Sequence, residues 1–263
     1  MERKIFILGH RGMLGNAVLK YFNTKEDYTI TTTDEKWDSA IFKEILKGAD
    51  VDFIINCIGI IPQKKPDVSD YQKVNIDLPA FLETLGKKIV HPSTDCEFSG
   101  RISSDIKYKK TDGRDAVDDY SRSKSEISEL IEDNFKNTKM IRTSIIGHEI
   151  SSHFALLDWF LNSSDSVNGY ANHYWNGITT LEWAKLCEQL IDKWDTSPAL
   201  NQYGTEKIMS KYNVLKIIKN IYNKDIKIFE FEVSETVNKC LESDRELDSI
   251  EHQLKELKTF YNK

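Results

Sequence analysis

The chain has 263 residues, 40% hydrophobic and 30% charged, with a formal net charge of -6. That length suits one α/β domain with an appendage, or two small domains, and the acidic balance argues against general nucleic-acid binding, which wants a basic face. Cys57, Cys96, Cys187 and Cys240 are scattered and form no C-x-x-C pair. Neither a zinc site nor a disulfide framework is expected, and no signal peptide or long apolar span is read, so the expectation is a cytoplasmic protein with no metal and no membrane.

Lys4-Ile5-Phe6-Ile7-Leu8 is an apolar run of buried-strand type. Gly9-His10-Arg11-Gly12-Met13-Leu14-Gly15 follows, and Asn16 to Phe22 reads as a helix. Strand, glycine turn and helix together suit a dinucleotide pyrophosphate. Glycines let the backbone approach the phosphates, and N–H groups at the helix start face the anion. The pattern is G-x-x-G-x-x-G rather than G-x-G-x-x-G.

Tyr28 to Thr33 is β-branched and predicts a second strand ending at Asp34. An acidic residue roughly 20 positions past the glycine loop is placed to hold an adenosine ribose 2′-hydroxyl. Arg11 pulls the other way, because a guanidinium there welcomes a 2′-phosphate. NADPH and NADH therefore both stay open. Asp38 to Leu46 reads as a helix and Val51 to Ile58 as a third strand, apolar around Asn56 and running into Gly59. Such strands alternating with helices predict a parallel sheet covered on both faces. The loop Gln63-Lys64-Lys65-Pro66 is basic, which suits a solvated loop first and an approach to a substrate diphosphate second.

Tyr71 to Leu85 predicts a helix with Val74, Leu78, Leu82 and Leu85 on one stripe and Asn75 as its polar member. Pro79 should bend it or mark a first turn. Lys88-Ile89-Val90 starts a fourth strand that leads into His91-Pro92-Ser93-Thr94-Asp95. Hydroxyls and a carboxylate at the carboxyl end of a sheet strand lie where ligands bind in open α/β sheets. Residues 97–115 are polar and irregular. Asp118 to about Phe135 reads as a helix opened by Tyr120-Ser121-Arg122-Ser123-Lys124, and Lys139 to Ile146 as a further strand.

Tyr120 and Lys124 are spaced i, i+4, so they share a helix face. A free tyrosine, with a pKa of about 10, is a poor acid at neutral pH. A nearby ammonium favours the phenolate and tunes the pair as a proton donor, which reduction of a carbonyl requires. Thr94 offers a hydroxyl to the same carbonyl oxygen.

These motifs, with Val74-Asn75, Ser93-Thr94-Asp95-Cys96-Glu97-Phe98-Ser99-Gly100 and Arg142-Thr143-Ser144, make the chain resemble extended short-chain dehydrogenase/reductases, and among them the dTDP-4-dehydrorhamnose reductases and related sugar-nucleotide reductases. The likeness covers about the first 150 residues well and the rest more loosely. It implies a Rossmann-type α/β fold, a doubly wound parallel sheet, with a smaller C-terminal substrate lobe. The division expected is 1–150 for NAD(P) and 151–263 mostly for substrate, some elements returning to the sheet.

The resemblance also implies roles. Thr94, Tyr120 and Lys124 form the catalytic triad. Gly9, Arg11, Gly12, Met13, Leu14, Gly15, Asp34, Cys57, Ile58, Gly59, Asn75, Ser93 and Lys124 hold NADPH or NADH. Thr94, Asp95, Cys96, Tyr120, His148, Trp175 and Asn176 face a small sugar-nucleotide substrate. Related 4,6-dehydratases carry Thr-Asp-Glu where this chain has Thr94-Asp95-Cys96, and a thiol is a poor replacement for a carboxylate base. Glu97 is expected to point to the other side if the strand persists. The function implied is reduction of a 4-keto-6-deoxy sugar nucleotide, dTDP- or UDP-linked, for bacterial surface polysaccharide. An epimerase with tightly bound NAD and a non-catalytic regulatory subunit are the alternatives. Ser121 stands where many relatives have glycine.

In the second half, Ser152 to Leu161 predicts an amphipathic helix. The aromatic and amide-rich stretch 167–177 reads residue by residue equally as filling of a domain junction or as a pocket wall; the cluster as a whole favours the wall, with Trp175 and Asn176 its best members. Helices are expected from Thr180 to about Trp194 and from Ser210 to about Tyr222, with a late strand at Asn201-Gln202-Tyr203-Gly204 between them. The stripe Leu247, Ile250, Leu254, Leu257 and Phe260 is expected to dock on the C-terminal lobe, a homodimer contact being the sharper alternative. His148-Glu149 with His153 lacks H-E-x-x-H spacing, so no zinc is assigned.

Overall fold

The computed structural model describes residues 2–64 and 66–263; Lys65 of the basic loop lies outside them. Two compact units result. The first is Met1–Ser93, Asp118–Ile141 and Ala184–Asn201; the second is Thr94–Val117, Arg142–Trp183 and Gln202–Lys263. The chain thus passes repeatedly from one unit to the other.

The first unit carries strands β1 (Arg3–Leu8), β2 (Tyr28–Thr32), β3 (Phe53–Asn56), β4 (Lys88–Ser93) and β5 (Thr138–Arg142). Its helices are α1 (Met13–Phe22), α2 (Ala40–Gly48), α3 (Val68–Tyr71), α4 (Leu78–Glu83) and α5 (Asp119–Asp133), with most of a further helix, Thr180–Asp192. The six-stranded sheet has the order Leu200–Gln202, β5, β4, β3, β1, β2. β1 pairs in parallel with both β2 and β3, and β3 with β4. The chain thus leaves β1 in one direction to β2 and returns to build β3, β4 and β5 on the other side. Doubly wound sheets bind ligands at such a reversal, at the carboxyl ends of the strands, here β1 and β3.

Ile5, Phe6, Ile7 and Leu8 are at most 1% exposed, so both faces of β1 are covered. Phe42 and Leu46 of α2 and Leu78 and Leu82 of α4 pack with Phe6, Leu8, Ile54 and Ile89. Ile127 and Ile131 of α5 pack with Ile76, Met140 and Leu200. Ser39 starts α2 by accepting the Phe42 N–H at 3.1 Å.

The helix predicted over 71–85 is not uniform. A π-helical stretch, Gln72–Asp77, joins α3 to α4, and Pro79 sits in the first turn of α4. Proline there has no N–H to give and its ring crowds the preceding turn; a widened turn accommodates both, and such turns favour functional positions. The expected strand over 139–146 is also broken. β5 ends at Arg142, and Ile145–Ile146 pairs instead with Ile178–Thr179 in the second unit.

The second unit is built of short pieces. His173–Trp175 lies between Met209–Ser210 and Val237–Asn238. Ser166–Tyr170 pairs in parallel with Lys227–Phe231. The presumed pocket wall 167–177 is therefore largely strand. Helices Leu156–Asn162, Lys211–Tyr222 and Ile250–Phe260 complete it. Ile250, Leu254 and Leu257 are at most 2% exposed, which places the C-terminal stripe in this unit's own core. Among the described residues no helix is long and apolar enough to cross a membrane.

Candidate active site

Leu8 is the register partner of Asn56, so the loops after β1 and β3 leave the sheet side by side. Gly9 has φ +74°, and a Cβ there would meet the Cys57 carbonyl at 2.9 Å. A Cβ on Gly15 would lie 2.2 Å from Gly9 O. Both positions require glycine: one for conformation, the other because α1 starts against the loop it follows. Gly12 is the N-cap of α1 and gives no side-chain cap. Leu14 is buried and Met13 half-buried. A tight glycine turn running into a helix N-terminus is a place where a pyrophosphate can bind.

Asp34 lies just past β2. Arg11 Nη2 approaches Asp34 Oδ2 at 2.5 Å, and His10 Nε2 lies 3.3 Å from Oδ1. The two groups expected to read a ribose 2′ position in opposite senses are thus paired with each other. Beyond β3, the Asn75 amide fixes the next loop. It accepts the Ile60 N–H at 3.1 Å and donates to Ile60 O at 3.3 Å and Ser123 Oγ at 3.0 Å. Asn75 is 2% exposed, so in this structure it holds Ile60, just past Cys57-Ile58-Gly59, and ties it to α5.

Asp118 caps α5, accepting the Ser121 N–H at 2.8 Å and the Ser121 hydroxyl at 2.9 Å. Ser121 is fully buried; in the glycine's place it supplies a second bond to the cap. The cap sets the first turn, and with it the half-buried Tyr120, whose ring lies 6.0 Å from that of Tyr71. One turn on, Lys124 is 7% exposed and donates to Pro92 O, at the end of β4, at 2.7 Å. Its Nζ is 3.3 Å from His91 Nε2. Ser93 Oγ is bonded to Ser128 Oγ of α5 at 2.9 Å. β4 and α5 are thus pinned together where Lys124 sits.

In the second unit, Thr94 caps the short turn Asp95–Glu97. Its hydroxyl accepts the Cys96 N–H at 3.1 Å and donates to Asp95 Oδ1 at 3.0 Å. The strand does not persist past Ser93, so strand alternation does not set the direction of Glu97. Glu97 is instead buried between two guanidiniums, with Arg142 Nη2 at 2.7 Å and Arg114 Nε at 2.5 Å from Oε2. Arg142 also donates to Gln202 Oε1 at 3.0 Å.

Three expected substrate residues are buried in this structure and meet partners inside the second unit. His148 is 1% exposed, with Asp158 at 2.8 Å on Nδ1 and the Tyr222 hydroxyl at 2.9 Å on Nε2. Burial pushes the Tyr222 phenol well above its ordinary range, so its O–H stays on as donor. Asn176 is 2% exposed, donates to Thr205 O and Leu241 O, and accepts the Leu241 N–H. Trp175 is 5% exposed, and a Cβ on Gly177 would lie 2.4 Å from its ring. These side chains spend their polar atoms or surface inside the unit. Sequence reasoning took aromatics and amides as a pocket wall; buried packing was the competing use. It passed over His91 and the Arg142–Glu97–Arg114 cluster, although a histidine and an arginine inside apolar strands are a visible signal of buried polar partners.

The family model for the RmlD substrate binding domain matches residues 3–226. Among solved structures, the chain is similar to a dTDP-4-dehydrorhamnose reductase from Bacillus anthracis in complex with NADP, at 15% identity over 100% of both chains with a TM-score of 0.85. A dTDP-4-dehydrorhamnose reductase from Clostridium acetobutylicum shares 17% identity over 99% of this chain and 100% of that one, with a TM-score of 0.83. A dTDP-glucose 4,6-dehydratase from Bacillus anthracis in complex with NAD shares 14% identity over 99% of this chain and 96% of that one, with a TM-score of 0.78. Among curated protein sequences none matches significantly. The chain belongs to the RmlD substrate binding domain family.

Proposed function

We propose that this member of the RmlD substrate binding domain family reduces the keto group of a 4-keto-6-deoxy sugar nucleotide, dTDP- or UDP-linked, with NADPH or NADH. The observation that carries it is the placement of Tyr120 and Lys124. They lie on the capped first turns of α5, with Lys124 held to the end of β4, in the unit whose β1 runs into the glycine turn.

In this reading the N-terminus of α1 and the Gly9–Gly15 loop bind the cofactor diphosphate. Arg11 and Asp34 face the adenosine ribose, the Cys57–Gly59 loop and Ser93 line the cofactor's path, and Lys124 holds the nicotinamide ribose. The bound cofactor supplies a hydride to the keto carbon. Tyr120 donates the proton to the oxygen that becomes a hydroxyl, and Thr94 hydrogen-bonds that oxygen. Asp95 and Cys96 border the sugar. Elimination of the dehydratase type is disfavoured because Cys96 is no carboxylate and Glu97 is committed to Arg142 and Arg114. The setting is the cytoplasm, where the product feeds surface-polysaccharide synthesis.

The test follows NADPH and NADH consumption with both nucleotides' 4-keto-6-deoxy sugars, made in situ by a 4,6-dehydratase. Turnover with one donor that falls by roughly 100-fold or more in Tyr120→Phe is expected, the scale of a lost general acid. Turnover unchanged in that variant would remove Tyr120 from the chemistry.

A further inference from the structure

The backbone of Tyr120 is fixed from two sides. Asp118 caps α5 through the N–H and the hydroxyl of Ser121. From the other side, Asn75 Nδ2 donates to Ser123 Oγ at 3.0 Å, and Ser123 Oγ donates to Tyr120 O at 2.7 Å. Those bonds place the Tyr120 Cα. They leave the two side-chain torsions that aim the phenol to be set by what the ring touches.

One neighbour of that ring comes from α3. Tyr71 is 8% exposed, and its ring centroid lies 6.0 Å from that of Tyr120 with the planes 54° apart. This is a tilted aromatic pair of ordinary separation. Tyr71 is itself held in place. At the start of α3 the Asp70 carboxylate accepts the Asp67 N–H at 3.2 Å, and the helix ends at Tyr71, where the π stretch Gln72–Asp77 takes over. Tyr71 and Asn75 thus stand four residues apart on one continuous rod, and they meet α5 at Tyr120 and Ser123. The widened turn sets both contacts at once, a use for it besides making room for Pro79.

We propose that Tyr71 is a positioning residue: its ring, and not its hydroxyl, holds the Tyr120 side chain in the rotamer from which the phenol reaches the substrate oxygen. This rests on Tyr120 being the proton donor of the reductase. Tyr71 itself makes and breaks no bond.

Tyr71→Leu removes the ring and keeps an apolar side chain, whereas Tyr71→Phe removes only the hydroxyl. Both run beside wild type and Tyr120→Phe in the reductase assay. Tyr71→Leu should lower kcat by about 10- to 100-fold, the scale of a misplaced reacting group, and leave the cofactor KM where it was. Its solvent deuterium isotope effect on kcat should rise, because proton transfer from a wandering phenol becomes the slow step; a loss through partial unfolding would not raise it. Tyr71→Phe should restore both the rate and the isotope effect of the wild type. Tyr71→Leu at the wild-type kcat, or Tyr71→Phe as slow as Tyr71→Leu, overturns the proposal. Should Tyr71→Leu not fold, the wild type decides. Proton NMR of cofactor-free protein, deuterated except at tyrosine, should show cross-relaxation between the Tyr71 and Tyr120 rings, assigned by the signals lost in Tyr71→Phe and Tyr120→Phe. Its absence overturns the proposal as well. Tyr120→Phe at the wild-type rate, or no turnover at all, sinks the reductase reading and the positioning role with it; a dead Tyr120→Phe beside an unimpaired Tyr71→Leu sinks the positioning role alone.

Discussion

Glu97 has no exposure to solvent, and its carboxylate lies between the guanidiniums of Arg142 and Arg114. The Arg142 guanidinium also lies 5.3 Å above the Phe98 ring, which stacks on Tyr108 at 4.1 Å. A carboxylate so held is a structural counter-ion. Removing one partner of a buried pair leaves an uncompensated charge, a loss of about 3–5 kcal/mol. Arg142→Met should therefore lower the unfolding free energy measured in urea by that scale, and a Glu97→Leu/Arg142→Met double variant should recover most of it, because Arg114, 15% exposed, can turn to water. Equal stability of the single variant and wild type would show that Arg114 suffices. At this scale the sequence is informative about chemistry that sits in a contiguous motif. Tyr120 with Lys124 and the three loop glycines can be read because spacing alone puts them on one face or in one turn. Asn176, His148 and Asn75 cannot, because an amide or imidazole has the same letter whether it meets a ligand or a buried carbonyl.

The glycine loop and α1 act as one element. Gly15 abuts the backbone of Gly9 and His10, with no flexible side chain to give way. Gly15→Ala should push α1 off the end of β1, weaken NADPH and NADH binding measured by fluorescence, and destabilise the fold by about 1–3 kcal/mol, the usual scale of overpacking. Gly48→Ala, with nothing within 4 Å of the added carbon, should change stability by no more than about 0.5 kcal/mol and leave cofactor binding alone. Equal loss in both variants would show that Gly15 matters only as a flexible residue. Elements of the first unit are legible because strands buried on both faces are continuous apolar runs bounded by helices with clear stripes. The π stretch at Gln72–Asp77 and the break after Arg142 are not legible. Each is a compromise, one around Pro79, the other between two different strand partners for 138–142 and 145–146. The second unit's strands of two to five residues are too short to show a period of two.

At the scale of the whole chain, the sheet order and the place of the glycine turn at its reversal point follow from an alternation of strand and helix that any reader of the first 93 residues can see. The division into units does not, since 94–117 and 142–183 join 202–263 only through contacts distant in sequence. The central claim is net transfer of hydride from a free cofactor to a sugar carbon. It is tested most directly by supplying NADPH or NADH deuterated at the transferring position of the nicotinamide ring with the 4-keto-6-deoxy sugar nucleotide. Mass spectrometry and NMR of the product then count and locate the deuterium. The account predicts one deuterium at sugar carbon 4 for each cofactor oxidised. A changed sugar stereocentre with no net cofactor oxidation and no deuterium would contradict it, and would mean that the chain returns its hydride to the sugar it came from, as an epimerase does.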